Sequence, residues 1–75
     1  MKNTMSRGPY TIHDYLNYSK LAKLTGNLLI EGWLPQVHFG PEDTAALLAL
    51  LTYLTQQNQA FRCHWHDTEH VVTLV

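Results

Sequence analysis

The chain has 75 residues, 45% of them hydrophobic and 15% charged, with a formal net charge of −1 at pH 7. A chain this short holds one domain at most; its apolar content excludes a solvated, disordered tail, and its charge excludes the strong phosphate attraction that gives nucleic-acid binders their bulk affinity. The charge is unevenly placed, since Lys2, Arg7, Lys20 and Lys23 stand against Asp14 alone in residues 1–23, whereas the remainder is acidic.

Residues 1–9 are polar, carry Gly8 and Pro9, and read as a flexible arm ahead of a single domain over residues 10–75. No apolar run of signal-peptide length follows the charges at the start. Thr11 with Asp14 forms an imperfect capping box that opens a helix to about Leu24, with Gly26 as its left-handed terminator. The periodicity of this helix is weak: Ile12, Tyr15, Leu16, Ser19 and Ala22 share one side, while Leu21 and Leu24 lie elsewhere. Two short apolar runs follow, at residues 28–30 and 37–39, separated by Gly32 and Pro35. They read as a hairpin or as a strand with an irregular return, with extension of the first helix past Gly26 as the alternative.

The clearest element runs from Pro41 to about Gln57. Pro41 suits the first helical position, Glu42 and Asp43 place negative charge at the positive end of the helix dipole, and no breaker follows. Leu47, Leu50, Leu51 and Leu54 form its central stripe, flanked by Leu48 on one side and by Ala46 and Tyr53 on the other. Thr52, Gln56 and Glu42 hold the opposite face with Ala45 and Ala49. Its apolar stretch is well short of the roughly 20 residues needed to span a membrane, so no membrane association is expected.

After Asn58 the period changes to two. Phe61, Cys63 and Trp65 alternate with Arg62, His64 and His66, and residues 70–75 resume the pattern beyond Asp67 and Thr68. A turn there sets Trp65 opposite His70, Cys63 opposite Val72 and Phe61 opposite Leu74, giving one apolar face; Arg62, His64, His66, Glu69, Val71 and Thr73 share the other. The expected fold is a small α+β two-layer domain, one long core helix packed on antiparallel strands with a C-terminal β-hairpin. The lone Cys63 cannot form an internal disulfide, so a reducing, cytoplasmic setting is expected. On the inward face it would behave as a small apolar side chain, with His70 beside Trp65 on that face.

Two kinds of chemistry are open to these residues. His64, His66 and Glu69 share one face of the hairpin and would offer zinc three ligands with an open fourth position, although His-x-His also recurs by chance on solvent-facing strands. Tyr15 and Tyr18 with Lys20 and Lys23 would stack on bases and meet phosphates, against the plainer reading of an amphipathic helix with tyrosines half-buried. No phosphate loop, nucleophile elbow or acid pair marks an enzyme, and neither His13 nor His38 has a discernible partner.

The feature of most weight is apolar excess: Trp33, Leu34, Leu48, Tyr53, Val71 and Val75 are more hydrophobic surface than two thin layers cover. The expectation is a non-enzymatic protein-interaction module, an inhibitor or adaptor that docks on another protein and forms a homodimer, with the terminal strand as an edge for strand addition. Small antagonist proteins carried by mobile elements, anti-CRISPRs among them, share this general profile of short chain and absent catalytic motif, without any motif here that marks the class.

Overall fold

Two helices lie on one face of a three-stranded antiparallel sheet, in the computed structural model that describes residues 12–75 and side chains from residue 16 onward. The arm expected over residues 1–9, the Thr11 cap and the side chains of His13, Asp14 and Tyr15 lie outside the described residues. In chain order the elements are α1 (Ile12–Ile30), β1 (Val37–Phe39), a 3₁₀ turn (Pro41–Asp43), α2 (Thr44–Gln56), β2 (Phe61–His66) and β3 (Glu69–Leu74). This is the small α+β domain that the patterning predicts.

The first helix does not stop at Gly26. It continues four residues to Ile30 and ends at Gly32, whose φ of +85° is the left-handed conformation that glycine adopts without a Cβ penalty. The amide of Gly32 donates to the carbonyl of Leu29 at 3.1 Å and that of Trp33 to Leu28 at 2.8 Å, the two bonds of a Schellman motif. The second helix ends the same way. Asn58, at φ 56°, donates to Thr55 at 3.0 Å, and Gln59 donates to Leu54 at 2.9 Å. Because a Cβ on Gly32 would meet nothing within 4 Å, Gly32→Ala is expected to cost only the left-handed conformational penalty. That penalty is about 1–2 kcal/mol, whereas Asn58→Gly leaves stability level or slightly raised; urea melts of both variants check the pair.

Gly26 serves packing instead. It is buried within α1, where an added Cβ would lie 2.5 Å from the ring carbons Cδ2 and Cε2 of Tyr53 on α2. The missing side chain lets the two helices close on each other. The buried stripe of α1 accordingly runs through Ala22, Gly26 and Leu29, with half-buried Tyr18 against the core, and Leu16 is exposed.

The 3₁₀ turn carries Pro41 at its start, and the Gly40 amide donates to Asp43 Oδ2 at 3.2 Å, so the expected helix at 41–57 begins with one tighter turn before α2. Leu47, Leu50 and Leu54 are buried as expected, and so is Ala49, which the helical wheel assigned to the polar side. α2 is covered on two sides, by α1 and by the sheet, so its buried arc is wider than a one-sided wheel provides. The core comprises these residues with Ala22, Leu29, Phe39 and Val72.

The hairpin has the expected register: Phe61 pairs with Leu74, Cys63 with Val72 and Trp65 with His70, closed at His66 and Glu69. Asp67 sits at φ 57° in the turn, a conformation that aspartate tolerates better than most residues. β1 pairs on the other side of β3, with Val37 opposite Val72 and Phe39 opposite His70. The strand order is therefore β1-β3-β2. The terminal strand, expected to present an unpaired edge, is the centre of the sheet, and the long free edge belongs to β2.

Candidate interaction surface

The helices pack over β1 and β3, so the apolar side of β2 overhangs the helical layer. Phe61 at one end is partly buried against the core, but Cys63 is exposed and Trp65 is 63% exposed. Cys63 points to the predicted face and is still not inward, because nothing among the described elements lies above it. Trp65 turns along the sheet surface toward His70, with ring centroids 3.9 Å apart and planes tilted by 40°. That contact stiffens the indole while leaving most of it in water.

Of the other predicted interaction residues, Trp33 is 74% exposed, Leu48 is 57% exposed and Val75 is exposed. Leu34 is half-buried against the core, and so is Tyr53, whose hydroxyl donates to Asn27 Oδ1 across the two helices. Val71 is a correction: it is only 3% exposed, on the central strand level with His38 on one side and His64 on the other. Leu21, Leu24 and Trp65 are exposed apolar residues that the interaction set lacked. The poor periodicity of the first helix already signalled the two leucines; Trp65 needed the position of β2 at the edge.

The polar face of the sheet is organised around His38, which has partners after all. Gln36 Nε2 lies 2.9 Å from His38 Nε2, and His38 Nδ1 lies 2.9 Å from Glu69 Oε1. Gln36 and Glu69 thus engage the two ring nitrogens of His38. His64 and His66 lie on this same face, but Glu69 is turned toward His38, across the sheet from them. The zinc trio His64, His66 and Glu69 is not brought together, and among the described residues no group of three histidine, cysteine or acidic side chains is placed to hold a metal ion. Sequence spacing could not foresee this, because β1 enters the sheet from a distant part of the chain.

Lys20 and Lys23 are exposed on the outer side of α1, whereas Tyr18 is half-buried on the core side. The stacking ring and the cations of the nucleic-acid reading therefore lie on different sides of the helix, and Tyr15 lies outside the residues whose side chains are described. Among the described residues no helix is long and apolar enough to cross a membrane.

Comparison of the chain with protein-family models, with curated proteins and with solved structures finds no match.

Proposed function

We propose that this domain is a small non-enzymatic protein-interaction module, an inhibitor or adaptor that docks on another protein as a homodimer in a cytoplasmic setting. A mobile-element antagonist such as an anti-CRISPR is the kind of protein this profile suits. One observation carries the reading: Trp33 is 74% exposed on a backbone held by the Schellman bonds of the α1 terminus. A large aromatic side chain on an ordered backbone loses little conformational entropy on docking, the property shared by tryptophan anchors at protein interfaces. Leu48, exposed among Thr44, Thr52 and Thr55 on α2, is a second apolar projection.

Trp33→Ala tests the reading, because a residue this exposed contributes little to folding. In native mass spectrometry of the protein purified from its own host, the wild-type chain is expected to carry a stoichiometric partner protein. Trp33→Ala is expected to weaken that complex at least tenfold with an unchanged melting temperature. Equal affinity of the variant, or a wild-type chain that retains no protein, would overturn it.

A further inference from the structure

The free edge of β2 has a hydrogen-bonding pattern that selects its own occupant. In an antiparallel hairpin, alternate pairs exchange backbone hydrogen bonds, and the remaining residues turn their amides and carbonyls away from the partner strand. A two-residue turn closes on a hydrogen-bonded pair, here His66 and Glu69, which puts the next such pairs at His64 with Val71 and Arg62 with Thr73. The bond from the Val75 amide to the Ala60 carbonyl, 3.3 Å, continues the alternation at the open end. Phe61, Cys63 and Trp65 therefore direct their backbone groups outward, and no strand among the described residues pairs with them.

These same three residues form the apolar side of β2, and the helices leave Cys63 and Trp65 of it uncovered. Few of the usual protections of an edge are present among the described residues: β2 contains no proline and no lysine, Arg62 is its one charged side chain at neutral pH, and its register with β3 is continuous, without a bulge. From this, and resting on the dimeric part of the function proposed above, we infer that β2 is the docking surface for a second copy of the chain. The two β2 strands pair antiparallel about a two-fold axis at Cys63 and join two three-stranded sheets into one of six.

Self-complementarity fixes the register. An axis at Cys63 sets Phe61 of each copy opposite Trp65 of the other and Cys63 opposite itself, so all three outward residues find partners, with roughly six backbone hydrogen bonds. An axis at His64 pairs only Cys63 with Trp65, with roughly four, and an axis at Arg62 sets two guanidinium groups against each other. The Cys63 register also forms two aromatic pairs on the apolar side, and on the polar side it places Arg62 opposite His64 without setting two arginines together. Trp65 then lies against an aromatic ring instead of water.

Hydrogen exchange of the wild-type chain is the direct test. The amides of Phe61, Cys63 and Trp65 are expected to gain protection as concentration rises, in step with a monomer-to-dimer change in native mass; fast exchange of these three in a dimer, or a wild-type monomer at high concentration, would overturn the proposal. In the paired register the two Cys63 Cα atoms lie about 5.5 Å apart, within disulfide reach. Diamide, which takes one hydrogen from each of two thiols as it is reduced to the hydrazine, is expected to join the copies through Cys63.

Cys63→Lys sets two ammonium groups head to head and is expected to raise the dimer dissociation constant at least tenfold. Thr52→Lys, exposed on α2, leaves it unchanged. A dimer that survives Cys63→Lys but is lost in Thr52→Lys would move the interface to the helices. A wild-type monomer that still binds another protein through Trp33 would end this inference and leave the interaction module standing.

Discussion

Gly26→Ala is expected to lower the stability of the domain, even though alanine is the better helix former by about 1 kcal/mol. The reason is steric. The new methyl carbon would sit 2.5 Å from two carbons of the Tyr53 ring, a separation that non-bonded carbons do not tolerate, with Leu50 Cδ1 a further 3.6 Å neighbour. The ring has no free route aside, because its hydroxyl is bonded to Asn27 on the same helix as Gly26. Overpacking of this kind costs about 1–3 kcal/mol after relaxation, a drop of roughly 10 °C in a domain of this size. A double-mutant cycle separates the causes: in a Tyr53→Ala background the clash is gone, and Gly26→Ala is expected to become neutral or stabilising. If Gly26→Ala raised the melting temperature with Tyr53 in place, the close approach of α1 and α2 would be wrong.

The second large effect is at Leu54, which is completely buried near the end of α2. Removing its isobutyl group loses the transfer free energy of the side chain and leaves a cavity bounded by a core with few residues to collapse into it. Leu54→Ala is expected to cost about 2–5 kcal/mol. A chain of this length has a total of roughly 4–11 kcal/mol at 0.05–0.15 kcal/mol per residue, so the variant loses a large share of its stability. Leu48→Ala, on the exposed side of the same helix, is expected to change stability by less than about 0.5 kcal/mol. Urea midpoints at an unchanged m-value measure both. Equal losses at the two positions would mean that α2 is rotated from the face described here.

The same contrast explains which expectations about α2 the sequence could support. Leu47, Leu50 and Leu54 were legible because period 3.6 is a local property of the chain, and a leucine stripe has to be covered. Ala49 was not, because a wheel knows one buried side and α2 has two. Gly26 and Gly32 show the limit for turns: both are single glycines after an apolar helix, and the chain chemistry permits a terminator at either. Tertiary packing separates them. At Gly26 the partner helix needs the space, so the glycine stays helical; at Gly32 the left-handed turn is free of neighbours, so the helix ends there.

Of the six residues expected on the candidate surface, Trp33, Leu48 and Val75 are exposed, Leu34 and Tyr53 are half-buried and Val71 is buried, while Cys63, expected to be covered, is open. Alternation along a strand assigns side chains to a face, but burial depends on whether that strand is central or at the edge, and on which strands the helices cover.

By itself, then, the amino-acid order determined the α+β class, the leucine-striped helix α2, and the hairpin with its pairing of Phe61, Cys63 and Trp65 to Leu74, Val72 and His70, since each follows from interactions within a few residues or from one turn. Only the tertiary structure decided that β3 is central, that Glu69 faces His38 across the sheet, and that β2 is left with an open edge. Those outcomes depend on where β1, 31 to 35 residues upstream of its partners on β3, enters the sheet, a long-range contact that no local period encodes.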